Sequence, residues 1–117
     1  MKVSILIPWC NRPEIARSLP KNAEWLRTAQ AEVIIVSSAG DVSRLQEMIR
    51  ACNCPSLRLL HVEGVQHFNK PECLNIGAFF SRGDWLFTLD ADIVLDADEP
   101  ACALAPSRQS GPSVRSI

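Results

Sequence analysis

The sequence predicts an α/β fold, a parallel Rossmann-like sheet of about four strands wrapped by helices, and three observations lead there. Four apolar runs rich in β-branched and aliphatic residues recur along the chain, each short enough for a strand. Segments with apolar residues at helical spacing separate them, long enough to cross over and bring the next strand in parallel. The residues best suited to chemistry collect where the apolar runs end: Asn11 and Arg12, Ser37 and Ser38, Asn69 and Lys70, Asp90 and Asp92. In open parallel sheets, ligands sit beyond the carboxyl ends of the strands, near a point where the strand order reverses.

Residues 2–8 form the first expected strand, too apolar on both faces for a surface position. Asn11-Arg12-Pro13-Glu14 reads as a helix start, with Asn11 as cap, Pro13 in the first turn and Glu14 three residues after the cap. Ile15, Leu19, Ala23 and Leu26 mark the buried face of that helix, and Pro20 is expected to kink or split it. Residues 31–37 are the second strand. Asp41 caps a second helix with a stripe of Val42, Leu45, Met48, Ile49 and Cys52, and Pro55 ends that segment. Residues 57–62 are the third strand.

Asn69-Lys70-Pro71-Glu72 then repeats the chemistry of the first helix start: cap, base, Pro, Glu. The third helix runs to about Arg82 and is apolar nearly all round, which predicts burial under further structure. Gly77 weakens a helix, so its place there predicts a close approach to the sheet. The fourth strand begins near Asp84 and runs into Asp90-Ala91-Asp92, where strand alternation would point both carboxylates the same way. Beyond Leu95 the chain turns acidic at Asp96, Asp98 and Glu99 and then to Ala, Pro, Ser, Gly and Arg. Such a stretch buries too little apolar area to offset its ordering entropy. The expected organisation is therefore a folded unit over residues 1–95 and a mobile, low-complexity tail over residues 96–117.

At 117 residues the chain is one domain, with 47% hydrophobic and 21% charged residues, an ordinary globular balance. A formal net charge of −1 gives no electrostatic case for nucleic acid. The apolar N-terminus is too short for a leader and ends in Pro8-Trp9 without a small-residue cleavage site, and no run approaches a membrane span. A cytoplasmic chain is expected. Five irregularly spaced cysteines do not read as a secreted disulfide framework. Cys52-Asn53-Cys54, with His61 and His67 downstream, matches none of the usual zinc spacings. No glycine-rich phosphate loop follows the first strand, which weighs against dinucleotide oxidoreductases and P-loop NTPases. No serine stands in a nucleophile elbow.

Two readings stand side by side for Asp90 and Asp92. Hard oxygen ligands at the end of a buried strand suit Mg²⁺ or Mn²⁺ carrying a phosphate; the alternative is a solvated turn that closes the strand. Arg12 and Lys70, at helix starts, would help bind the same diphosphate, or are simply solvated bases in first turns. His67 is either a polar loop residue or part of the same cleft.

Val3-Ser4-Ile5-Leu6-Ile7-Pro8 with Asn11-Arg12, then Phe68-Asn69-Lys70-Pro71-Glu72-Cys73-Leu74-Asn75-Ile76-Gly77-Ala78, then Leu86-Phe87-Thr88-Leu89-Asp90-Ala91-Asp92-Ile93, together resemble a known family. The resemblance is to the N-terminal half of a family 2-type glycosyltransferase with the GT-A fold, over roughly residues 2–95. It implies a nucleotide-sugar donor, usually a UDP-sugar, and a divalent metal, Mn²⁺ or Mg²⁺, held through an Asp-x-Asp motif. It also implies transfer of the sugar to a hydroxyl of a glycan, lipid or other acceptor, typically with inversion. By position, Asp90 and Asp92 correspond to the metal and diphosphate ligands, and Pro8, Asn11 and Arg12 to the first nucleotide-binding turn. Lys70 and Asn75 lie beside the donor, and Ser38 falls where the second strand meets it.

The chain departs from that family in two places. Ser37-Ser38-Ala39-Gly40 stands where the family carries acidic residues that hold the base. The acceptor-binding half and catalytic-base carboxylate of the family lie after the metal motif, and Asp96, Asp98 and Glu99 match no base motif. The expectation is a truncated donor-binding half, weakly active or inactive alone, or a domain completed by another chain. Against the enzyme stands the second expectation, a nucleotide-binding or interaction module without chemistry.

Overall fold

A computed structural model describes residues 2–52, 54 and 56–95. The expected tail, with its acidic head at Asp96, Asp98 and Glu99, and the helix-ending Pro55 lie outside the described residues. Strands and helices alternate as β1 (Val3–Trp9), α1 (Ile15–Thr28), β2 (Glu32–Ser38), α2 (Val42–Arg50), β3 (Leu57–Val62), α3 (Lys70–Phe80) and β4 (Trp85–Thr88). The sheet is parallel throughout, in the order β3-β2-β1-β4. The α/β class and the four-strand parallel sheet follow the pattern the sequence predicts.

Side-chain alternation on the two central strands sorts the core into two layers. Val3, Ile5, Ile7 and Trp9 of β1 and Val33 and Ile35 of β2 pack with Ile15, Leu19, Trp25, Leu26 and Leu45 from α1 and α2. Leu6, Ile34 and Val36 face the opposite way and meet Cys73 and Ala78 of α3. Gly77 lies at that contact: a Cβ there would stand 3.1 Å from Leu6 Cδ2 and 3.4 Å from Val36 Cγ2. Its absence brings α3 close to the sheet, as the sequence predicts.

Three local expectations are corrected. Asn11 does not cap α1, which begins at Ile15 behind Glu14 with no side-chain cap. Its Oδ1 instead accepts from Asp41 N–H at 2.9 Å, and its φ of 52° lies in the left-handed region that asparagine tolerates. Second, of the kink or split expected at Pro20, the split does not occur: α1 runs through Pro20 as one helix. Pro20 is exposed, so the carbonyl that loses its partner lies toward solvent. Third, α3 is buried on one side only, at Cys73, Gly77 and Ala78, while Phe79 and Phe80 are exposed and meet edge to face at 5.1 Å. The caps of α2 and α3 are as expected: Asp41 accepts from Arg44 N–H at 3.2 Å and Asn69 from Glu72 N–H at 3.1 Å.

At the amino end of the sheet, Glu32 ties three segments together. It accepts from the Ser4 hydroxyl at 2.7 Å, the Arg58 guanidinium at 2.8 Å and the Arg82 backbone N–H at 2.9 Å. Burial pushes its pKa up, but the Arg82 N–H, the Ser4 hydroxyl and Arg58 outweigh burial and hold it below the ordinary glutamate value. A carboxylate depressed in the folded state contributes stability above its unfolded pKa and loses it as pH falls through the folded one. Urea midpoints measured from about pH 6 down to about pH 3 are therefore expected to fall, and Glu32→Gln is expected to flatten that slope. An unchanged slope in the variant would assign the acid sensitivity to other carboxylates.

Candidate functional site

The order β3-β2-β1-β4 places β2 and β4 on opposite sides of β1, so the strand order reverses between β1 and β4. A crevice is expected there beyond the carboxyl ends of the strands. A cavity of about 410 Å³ occupies that position, lined by Pro8, Cys10, Arg12, Phe68, Lys70, Asp90, Ala91 and Asp92. Three chain segments supply it: the end of β1, the start of α3 and the turn after β4.

Pro8 sits at the point where the sheet opens. β4 pairs with β1 only as far as Leu6, and Leu89 N–H closes on the Leu6 carbonyl at 2.9 Å. Two residues further along, a backbone N–H would face the same side, where β4 has already ended. Proline therefore loses no ladder bond there. The chain then turns through Asn11, whose bond to Asp41 joins the turns after β1 and β2. Gly40 completes that junction, since a Cβ on it would come within 2.8 Å of the Trp9 ring and 3.1 Å of Asn11 N. The Arg12 carbonyl accepts from Trp9 Nε1–H at 2.9 Å, and its guanidinium lies 3.5 Å from Glu14.

The carboxylates do not lie on a strand. β4 ends at Thr88, and residues 90–93 form a turn closed by Ile93 N–H to the Asp90 carbonyl at 3.1 Å. Strand alternation is thus not what brings Asp90 and Asp92 to one side. The turn does so, by burying Ala91 and leaving both carboxylates exposed at the cavity. Lys70, the first residue of α3, reaches across with Nζ 2.9 Å from Asp90 Oδ1. Both partners are about half exposed, so the pair contributes at most about 1 kcal/mol and yields readily to a competing ion. Among the described residues, no cluster of three or more His, Cys, Asp and Glu side chains stands ready to hold a metal ion.

Of the residues singled out in the sequence, Pro8, Arg12, Lys70, Asp90 and Asp92 meet at this cavity, whereas Asn11, Ser38 and Asn75 do not line it. Asn11 shapes the turn. Ser38 is 2% exposed, at the carboxyl end of β2. Asn75 is exposed on α3, and His67 is exposed in the preceding loop. Cys10 and Phe68 also line the cavity, and neither residue type carries a positional signal on its own.

Two more residues escaped sequence reasoning. Ser18 and Asn22, buried on α1, bond to the backbone of residues 91–95. The available signal was polar residues standing in the apolar stripe of Ile15, Leu19 and Leu26, because buried polar groups require partners.

The family model for glycosyl transferase family 2 matches residues 4–108. Among solved structures, S. aureus TarS 1–349 aligns with a TM-score of 0.67 at 17% identity, over 93% of this chain and 33% of that one. The same TarS fragment in complex with UDP-GlcNAc gives 0.64 at 18% identity, over 93% and 32%. The mannosyltransferase PcManGT from Pyrobaculum calidifontis, in complex with GDP-Man and Mn²⁺, gives 0.71 at 20% identity, over 87% and 31%. At these identities the likeness shows the fold, and the chain spans about a third of the length of each structure. No curated protein sequence matches the chain. No helix among the described residues is long and apolar enough to cross a membrane.

Proposed function

The chain belongs to glycosyl transferase family 2, and from that premise we propose that its cavity is the donor-binding wall of a glycosyltransferase, holding a nucleotide-diphosphate sugar through a divalent cation. The observation that carries this reading is convergence. Arg12, Lys70 and the Asp90/Asp92 pair come from three separate segments and meet in one crevice where the strand order reverses. Neighbours of the same fold were solved with UDP-GlcNAc and with GDP-Man and Mn²⁺.

The donor set fits a hard cation. Two exposed carboxylates supply oxygen ligands and leave most coordination positions to water and phosphate, as Mg²⁺ and Mn²⁺ prefer. The Lys70 ammonium already stands beside Asp90 as a tethered positive charge. When bound, the cation supplies charge neutralisation at the diphosphate. Arg12 brings a guanidinium to the same phosphates, and Lys70 brings an ammonium next to the first turn of α3, whose dipole also favours anions.

A UDP-sugar donor, a hydroxyl acceptor on a glycan or lipid, and inversion of configuration complete the proposal as the family resemblance has it. Inversion requires a base for the acceptor hydroxyl. Asp90 and Asp92 are the carboxylates that line the cavity among the described residues, and both are assigned to the cation. Donor binding is therefore the part of the reaction these residues support. The same observation favours, as a second reading, a module that binds the nucleotide without transferring a sugar.

Calorimetric titration of the chain with UDP, with and without Mn²⁺, tests the proposal. Mn²⁺-dependent binding is expected, and an absence of binding at millimolar Mn²⁺ would overturn it. Lys70→Met is expected to act with opposite signs on the two ligands. Free Mn²⁺ should bind up to about fivefold tighter once the competing ammonium is gone. UDP should bind about tenfold weaker or more for want of a charged donor.

A further inference from the structure

We propose that Ser18 and Asn22 are positioning residues for the Asp90/Asp92 pair, locking the turn that carries both carboxylates onto α1. This rests on the cation-binding reading above. The geometry is specific. Ser18 Oγ donates to the Ala91 carbonyl at 2.5 Å, between the two aspartates. Asn22 Nδ2 donates to the Ile93 carbonyl at 2.9 Å, and its Oδ1 accepts from Leu95 N–H at 3.1 Å and from Trp25 Nε1–H at 2.9 Å. Ser18 and Asn22 are 5% and 1% exposed; the bonds from Ser18 to Ala91 and from Trp25 to Asn22 are buried and those to Ile93 and Leu95 partly so, so loss of either side chain leaves a buried polar group unpaired.

Ser18 and Asn22 stand one helical turn apart, with Trp25 three residues further on, so one edge of α1 presents all three. Ser18 and Asn22 grip the backbone at residues 91, 93 and 95, with Trp25 bonded to Asn22, while Asp90 and Asp92 keep their side chains at the cavity. The same helix governs the opposite wall. The Arg12 carbonyl accepts from Ile15 N–H at 3.4 Å, at the start of α1, and from Trp9 Nε1–H. One rigid element thus sets the spacing between the Arg12 turn and the carboxylate turn. An apolar stripe alone would hold α1 to the sheet, but it would leave the turn after β4 free to change register. Two polar residues within that stripe are best explained by the backbone they hold.

The test reads Mn²⁺ affinity from the loss of the free-ion EPR signal on titration, with stability read separately by urea denaturation. Ser18→Ala and Asn22→Leu are each expected to weaken Mn²⁺ binding by about tenfold or more, the range found when groups supporting metal ligands are removed. Ser18→Thr, which keeps the hydroxyl, should restore it. Hydrogen exchange at the Leu95 amide should accelerate in Asn22→Leu while the β1 amides stay protected. Leu26→Ala, on the same helix but in the core, supplies the comparison: it should lower stability and leave Mn²⁺ affinity unchanged. Wild-type affinity in both Ser18→Ala and Asn22→Leu would overturn the positioning role, as would an equal loss in Leu26→Ala. Failure of the unaltered chain to bind Mn²⁺ would overturn the cation site and this role together.

Discussion

Asp92→Asn is expected to raise the Mn²⁺ dissociation constant by about a hundredfold or more, since removing even a supporting group around a metal costs about 10- to 100-fold and this change removes a proposed ligand. The carboxamide keeps the shape of the side chain and loses its charge and one strong acceptor. Asp92 is exposed and forms no ion pair among the described residues, so the substitution should leave stability within about 0.5 kcal/mol. Asp90→Asn should match it in lost binding. It also frees Lys70, which at an exposed site changes stability by at most about 1 kcal/mol. UDP binding should fall in both variants when Mn²⁺ is present. EPR titration and thermal denaturation of the two variants check the combination. Wild-type Mn²⁺ affinity in both would identify the turn as a solvated strand ending.

Trp9→Ala is expected to have the largest effect on stability, a loss of about 3–5 kcal/mol, as for large buried aromatics elsewhere. Trp9 is the last residue of β1 and is completely buried. Its ring fills the space beside Gly40, and its indole N–H holds the Arg12 carbonyl. Domains of this size are stable by only about 5–15 kcal/mol, so the truncation removes a large share of the whole. Trp9→Phe separates the two roles. It keeps most of the packing and removes the hydrogen bond, a net loss nearer 1 kcal/mol with a weaker hold on the Arg12 turn. Urea denaturation measures the first effect and UDP titration the second. A loss under 1 kcal/mol in Trp9→Ala would mean that the Trp9 pocket collapses around the smaller residue.

The hydrogen bond that Asn11 accepts from Asp41 N–H is one that local pattern does not specify. Asn-x-Pro-Glu has the chemistry of a helix start, and at Asn69 the same pattern does cap a helix. At Asn11 the backbone enters the left-handed region, and the side chain turns instead to Asp41, 30 residues away. No local rule separates those two outcomes, because the competing partner belongs to the turn after another strand. The Asp90 turn teaches the same lesson. The apolar run from Trp85 continues to Leu89, but β1 offers pairing to β4 only through Leu6, so the strand stops at Thr88 and the aspartates fall on a turn.

The sequence by itself determined the element order, the parallel sheet, the caps at Asp41 and Asn69, the close approach at Gly77 and part of the converging set: Pro8, Arg12, Lys70, Asp90 and Asp92, but not Cys10 or Phe68. Each of these rests on periodicity or on chemistry within a few residues, which the chain carries wherever it folds. Tertiary structure decided that the carboxylates leave the strand, that Lys70 reaches Asp90, and that Ser18 and Asn22 grip the turn between residues 91 and 95. Those contacts join positions 20 to 73 residues apart. Partners so distant in the chain meet only once the helices and strands have packed, so their pairing was set by the packed sheet and not by any local pattern.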